Sequence, residues 1–483
     1  MAKVIIVGAG VAGISAGIYA RLAGYDAVIF EKHHTAGGNL SGWRRGEYFI
    51  DNCIHWLTGT NKDTESYKIW EDIGMLGDGV EIFKPNVLYT VELDGQSLSF
   101  SRDIEKLEDD MVAVSAEDEK ESRAFIGAVK AAQKLLKFGG GENKPTRLLK
   151  YLPMTMGDLA DRFKHPLLKR FFTYFLGEKF GALAMLIVGG TFCSGDADIP
   201  YGGSVAAAER IVKRYEELGG ELVLGKEVVR ADDGKVIFAD GSEETGDYVI
   251  ITADPAAAAG RMVRAKMPRA IAKRYKNKKL IRFSSVQCAL AAESDKKLFE
   301  GDIIISIPDE YREELGSDRV SYREYYHEKD FAPEGKSIYQ SMIFIDEEKS
   351  KEYISLDADR VEYKEKKRRI GEISRELFEK RFPELSGKVK CIDVWTPATY
   401  KRFTGAEVGS FMSFLFPKNY IPLHVDGSIE GHPRMFYAGQ WLCPPGGLPN
   451  AAKSGKLVIE KIKKLEQKHA SHAKAAKTVT AEG

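Results

Sequence analysis

An excess of either charge is the first thing missing. Lysine plus arginine and aspartate plus glutamate both count 71, so no net field draws the whole molecule onto nucleic acid or an anionic bilayer, and any membrane contact has to be local. Cysteine is sparse and scattered: Cys53, Cys193, Cys288, Cys391 and Cys443 form no CxxC pair and no zinc-type spacing. That pattern argues against a disulfide framework or a metal site and suits a reducing compartment. There is no run of about 20 uninterrupted apolar residues of the kind that spans a bilayer. The most apolar stretch, residues 171–193, is broken by Gly177, Glu178 and Lys179. No secretory h-region is expected either, because Lys3 leads into a short strand-like run and then into glycines. These absences predict a cytoplasmic protein that binds neither nucleic acid nor metal.

At 483 residues the chain is long enough for two domains. Its opening reads strand, tight turn, helix, strand: residues 3–7, 8–13, an alanine-rich helix to Leu22, then residues 27–30 closing on Glu31. That is one βαβ unit, and its turn, VIIVGAGVAGISAG, carries three glycines with different tasks. Gly8 permits the turn, Gly10 lets backbone approach a pyrophosphate, and Gly13 lets helix pack on strand. The helix N-terminus then faces the phosphates with its positive end. Glu31 is placed to bind a ribose hydroxyl and disfavours a 2′-phosphate, hence NADP.

Three features favour FAD over NAD as the dinucleotide. Gly37 and Gly38 follow Glu31 in EKHHTAGGNLSGW, where bare backbone suits a long ligand. The C-terminal MFYAGQWLCPPGGLPNAAKSG reads as strand, glycine turn and new helix, and the amides of Gly447, Leu448 and Asn450 are expected to face the flavin pyrimidine edge. No second strand-GxGxxG-helix exists to hold nicotinamide, which leaves the electron acceptor open among a quinone, oxygen or a protein carrier.

Further along, residues 103–137 read as a charged helical insert that ends at the glycine, asparagine and proline of 139–145. Residues 200–225 read as a glycine turn, an amphipathic helix and a strand. Residues 235–238 and 248–252 read as a hairpin-like pair around Asp240 and Gly241. From 283 to 393, strands at 285–289, 303–307 and 337–344 with a charged helix at 357–382 predict an antiparallel sheet backed by a helix. The chain then returns to a strand at 435–438 and a helix at 449–465, with a frayed tail after it. The fold expected is α/β: a doubly wound, Rossmann-type FAD domain with a discontinuous α+β substrate domain and a helical insert. Its segments are 1–80, 195–270 and 395–465 for the FAD domain, 81–194 and 271–394 for the substrate domain, and 466–483 for the tail.

The chain resembles the family of phytoene desaturases, carotenoid isomerases and retinol saturases. The resemblance runs almost end to end and rests on VIIVGAGVAGISAG with Glu31, the Gly37–Gly38 pair followed by YFIDNCIHW, PYGGSVAAAERIVKRYEELGGELVLGKEV, YVIITADP, HEKDFAPEGK and FYAGQWLCPPGGLPNAAKSGK. It implies FAD contacts at Gly8, Gly10, Gly13, Glu31, Gly38, Val228, Gly439 and Leu448. Asn39 departs from the pattern, since many relatives have arginine there, and Arg44 or Arg45 is the substitute to look for. Gln440 stands where many disulfide-reductase-type flavoproteins have aspartate. The implied chemistry is two-electron transfer or isomerisation at a carbon-carbon bond of an apolar conjugated or isoprenoid substrate, with the flavin carrying the difficult step.

His55 is the first candidate acid or base, because a histidine exchanges protons near neutrality, with Asp51 as an assistant. A buried structural histidine is the competing reading. His327 with Tyr325 and Tyr326 forms a second polar-aromatic cluster, expected at a cavity mouth or on a sheet surface. Cys443 beside the C-terminal turn reads as inert packing. Residues 171–175 and 182–188 read either as core or as a membrane-surface patch flanked by Lys164, Lys169, Arg170 and Lys179. Two other functions share this topology: a flavin amine oxidase, and a non-enzymatic prenyl- or lipid-binding escort that has lost its flavin.

Overall fold

Four apolar residues in a row, Val4, Ile5, Ile6 and Val7, leave the first strand no polar face, and a strand apolar on both sides belongs in the middle of a parallel sheet covered by helices. Lys3–Val7 takes that place. The computed structural model describes residues 1–137 and 146–481, so the loop expected at 139–145 lies outside the described residues. Contacts divide the chain into one unit of residues 1–38, 208–274 and 424–483 and another of residues 39–207 and 275–423.

In the first unit a six-stranded sheet runs in the order Glu221–Val223, Asp26–Phe30, Lys3–Val7, Tyr248–Ile251, His432–Tyr437, Ser428–Ile429. Every neighbouring pair is parallel except the last. The helix Val11–Leu22 connects the first two strands and packs on the long C-terminal helix Leu448–Ala481. An added Cβ on Gly455 would stand 2.6 Å from the Ala16 nitrogen, so the two helices meet at backbone distance. The doubly wound α/β expectation therefore holds. Two details differ. Tyr248–Ile251, expected as half of a hairpin, is wholly buried and joins the parallel sheet, while Lys235–Phe238 pairs with Glu243–Thr245 and Val228–Asp232 in a separate antiparallel sheet. The expected tail beyond residue 465 is instead helix as far as Ala481.

The second unit is built on a seven-stranded sheet in the order Val389–Trp395, Phe283–Ala292, Ser337–Asp346, Arg319–Glu324, Asp302–Ser306, Val87–Leu93, Gln96–Ser101. It is antiparallel but for one pair, Asp302–Ser306 beside Val87–Leu93. The helix Arg360–Arg381 starts where the Asp359 carboxylate accepts from the Val361 and Glu362 amides. It buries Ile370, Ile373, Leu377 and Phe378 against Val286, Tyr322, Tyr339 and Ile343 of the sheet. The expected insert is two helices, Ile104–Val114 and Glu119–Lys137, parted at Ser115.

A second core forms around Phe125, Phe163, Phe171, Phe172, Met185 and Leu186. Phe171, Phe172, Ala182, Met185 and Leu186 are fully buried, so the apolar run read either as core or as a membrane patch is core. The helix Ala182–Cys193 is apolar nearly all round because it lies inside. Among the described residues, no helix is long and apolar enough to cross a membrane.

Residues 39–80, expected in the dinucleotide-binding part, belong to the second unit. There the hairpin Gly42–Arg45 and Tyr48–Asp51 is tied in by the Phe49 amide to the Phe331 carbonyl (2.9 Å) and by Trp43 Nε1 to Asp393 (2.9 Å). Residues 395–423 do likewise, with Gln287 Nε2 donating to the Tyr400 hydroxyl at 2.7 Å.

Candidate functional site

The glycine turn in the first unit has the geometry its sequence requires. Gly8 sits at φ +105°, and its amide donates to the Phe30 carbonyl at 2.9 Å, which locks the turn to the neighbouring strand. A Cβ on Gly13 would lie 1.9 Å from the Gly8 carbonyl oxygen, so only glycine lets the helix start this close. Gly10 is different: a Cβ there would meet nothing nearer than the Gly37 carbonyl at 4.0 Å. No packing inside the unit demands glycine at position 10. The bare backbone leaves open the space a pyrophosphate needs in front of the helix N-terminus.

The Gly37–Gly38 pair closes over this turn. Gly10 and Gly37 form a parallel bridge, the Gly37 amide donates to the Ala9 carbonyl at 2.8 Å, and Gly38 at φ +62° would bring a Cβ to 3.2 Å from Gly10 Cα. Glu31 accepts from the Ala9 amide (2.8 Å) and the His33 amide (3.0 Å), which fixes its carboxylate at the edge of the loop. Val228 lies nearby: the Lys226 amide donates to the Glu31 carbonyl at 2.8 Å, and Val228 pairs with Phe238, whose ring packs edge-on against Phe30 at 4.7 Å.

At the other end of the unit, Gly439 has φ +132° and its amide donates to Ser454 Oγ at 2.8 Å. Ser454 Oγ is also 3.2 Å from His424 Nε2. Gln440 Oε1 accepts from the Gly447 amide at 2.9 Å. The Gly447 N–H is thus engaged by Gln440, whose side chain clasps the turn. Asn450 Nδ2 donates to the Gly446 carbonyl at 2.8 Å, and Leu448 opens the C-terminal helix. Burial pushes the Cys443 thiol up, as inert packing requires.

Asn39 opens the second unit, where its Nδ2 donates to the Phe411 carbonyl at 3.1 Å. Neither arginine offered in its stead is free. Arg45 pairs with Asp393 at 2.7 Å, and Arg44 donates to the Glu47 carbonyl with its guanidinium 5.7 Å from the Phe49 ring.

His55 lies in the second unit among polar groups that were not expected together. Asp51, fully buried, accepts from the Cys53 amide (3.0 Å) and the Ser204 hydroxyl (2.6 Å). It anchors backbone and does not assist His55. Arg323, also buried, donates to Asp302 at 2.6 Å and to the His55 carbonyl. Burial and then the Arg323 charge hold the His55 imidazole well below its ordinary range, so it is neutral at physiological pH.

Tyr325 is buried, and the side chain of the half-buried His327 is turned inward rather than lying on a sheet surface. The His327 ring stacks on Phe83 at 4.2 Å and 8°, and burial and Arg323 hold it at about 4. Glu328, which accepts from the Gly202 amide at 3.0 Å, is pushed up to about 7 by burial. Sequence reading missed Arg323, Asp302 and Glu328. Arg323 and Asp302 are cross-strand partners, a pairing that only the register reveals.

A dinucleotide-binding parallel sheet with a glycine cradle, joined to a unit built on a large mixed sheet, defines the class of FAD-dependent oxidoreductases. The model of the flavin containing amine oxidoreductases matches residues 11–462, and the chain belongs to that family. FAD is its cofactor. The phytoene desaturase (neurosporene-forming) of Rhodobacter capsulatus is 23% identical over 509 residues, covering 96% of this chain and 94% of that protein. Among solved structures, an oxidoreductase from Methanosarcina mazei superposes with a TM-score of 0.62 at 15% identity, covering 95% of this chain and 100% of the other. A triple mutant of putrescine oxidase gives 0.55 at 13%, covering 96% and 99%.

Proposed function

We propose that the protein acts on carbon-carbon bonds of an apolar polyene, isoprenoid or unsaturated lipid, by desaturation, saturation or isomerisation. The observation that carries this reading is the likeness to a phytoene desaturase along nearly the full length of both chains. Bound FAD supplies two-electron chemistry. The first unit contributes the phosphate cradle of Gly8, Gly10 and Gly13, with Glu31, Gly38, Val228, Gly439 and Leu448 as further contacts. Asn39 and Gln440 act through the backbone segments they hold, and Gly447 through the turn that Gln440 clasps.

His55 is the residue we assign to proton transfer. Being neutral, it offers one lone pair and one N–H, and the burial and Arg323 charge that keep it neutral also weaken it as a base. In the assay, the flavin-loaded protein is incubated with carotenoid, retinoid and unsaturated fatty acid panels while flavin and polyene absorbance are followed. His55→Ala is expected to keep the flavin spectrum and lose about 10²-fold or more in turnover; unchanged turnover removes His55 from the mechanism. The family also contains amine oxidoreductases, and that second reading predicts oxygen consumption and peroxide release with primary amines or polyamines. The intact glycine cradle and Glu31 argue against a flavin-free escort.

A further inference from the structure

In the second unit, His55, Trp56, Phe83, Arg323, Glu324 and His327 line one small cavity. Its volume of about 20 Å³ holds one water-sized group. Most of the wall is apolar, and two polar side chains in it carry unsatisfied atoms, Glu324 at Oε1 and His327 at its ring. Both ring nitrogens of His327 are buried without a hydrogen-bond partner, and its side chain is only 4% exposed. The nearest carboxylate oxygen, on Glu328, is 3.9 Å from Nε2, beyond hydrogen-bond reach.

Leaving a buried donor and a buried acceptor unpaired on one ring is costly, and native interiors rarely do it without a ligand or water. A neutral imidazole presents one N–H and one lone pair, so its best partner both donates and accepts. The surrounding charge narrows the choice. Arg323 is already paired with Asp302 at 2.6 Å, and the unpartnered Glu324 Oε1 in the wall calls for a donor, which an anion does not supply. A carboxylate is therefore disfavoured, and a hydrocarbon leaves the nitrogens unpaired.

We propose that this cavity is an end-group site for the hydroxyl of an otherwise apolar molecule, with the His327 imidazole as its hydrogen-bonding partner. Phe83 holds the ring by stacking, and Arg323 fixes the His55 carbonyl at the cavity wall. The inference rests on the preceding reading for the isoprenoid nature of the chain that carries the hydroxyl. It concerns binding alone, so it can fail while carbon-carbon turnover stands, or hold where turnover is absent.

The test is calorimetric titration of the flavin-loaded protein with farnesol, farnesene and farnesoic acid, which share one chain and differ at its end. Farnesol is expected to bind about ten-fold tighter than either of the others. His327→Phe, which keeps the stacking, should bring farnesol down to the affinity of farnesene, and His327→Gln, which keeps a donor and an acceptor, should restore part of the difference. Equal binding of the three by the unaltered protein, or no binding of farnesol, overturns the proposal and leaves the cavity to a buried water. Persistence of the farnesol preference in a folded His327→Phe protein overturns it as well. The comparison within the unaltered protein decides the matter even if a variant fails to fold.

Discussion

Gly10 and Gly13 stand three residues apart and are constrained by different things. The Gly8 carbonyl, 1.9 Å from where a Cβ would be, forbids any side chain at position 13 whether or not a ligand is bound. At position 10 the chain itself offers no obstacle within 4.0 Å. Gly13→Ala should therefore lower both the melting temperature of the apoprotein and its FAD content. Gly10→Ala should leave the apoprotein's melting temperature within a degree or so, yet weaken FAD, since surface changes that touch nothing are nearly neutral. Thermal melts with and without added FAD separate the two. A Gly10→Ala protein that binds FAD as the parent does would contradict the role given to that position.

Glu328 makes a prediction about pH. Burial lifts its carboxyl from the ordinary 4.5 to about 7, so in that window the folded chain holds a proton that the unfolded chain has released. Its contribution is thus favourable at low pH and is lost as pH rises toward 7. The neighbours bearing on it are Asp51 and Asp330, with His327 beside it. Glu328→Gln removes the titration, so the variant should gain thermal stability relative to the parent between about pH 5 and about pH 8. A stability difference that is flat across that range would show that Glu328 titrates normally.

Among the elements, the helix pair Pro166–Phe175 and Ala182–Cys193 shows what burial decides. An all-round apolar helix reads equally well as core or as a membrane-surface segment until its neighbours are known. Phe172, fully buried, touches Phe163 at 4.8 Å and Phe125 at 4.9 Å between ring centroids. Phe172→Ala should cost about 3–5 kcal/mol by chemical denaturation, the usual effect of removing a core aromatic ring. A loss under about 1 kcal/mol would place that ring at a surface.

The same logic explains what the sequence made legible. Lys3–Val7 announces itself because an uninterrupted apolar run followed by glycines has few other readings. Tyr248–Ile251 is an equally apolar run, yet a nearby Asp240–Gly241 turn made a hairpin the natural pairing. Its actual neighbours, Lys3–Val7 and His432–Tyr437, lie far away in sequence, and no local signal points to them. Arg323 and Asp302 were hidden for the same reason, since partners across a sheet carry no mark of each other. The glycines of the cradle were legible because each is required by backbone geometry. His55 was legible as a residue type, but its neutrality depends on Arg323, which lies 268 positions along the chain.

At the scale of the whole molecule, the first unit is assembled from three separate stretches of chain, 1–38, 208–274 and 424–483. A ligand that bridges the first and last of these should raise the stability of the entire unit by mass action, by about 2.7 kcal/mol at a hundred times its dissociation constant. The measurement that bears most directly on the account is the visible spectrum of the purified protein, together with identification of the cofactor released on denaturation. The expected result is a yellow protein with about one FAD per chain, held without a covalent bond. A colourless protein that takes up no FAD when offered an excess would contradict it.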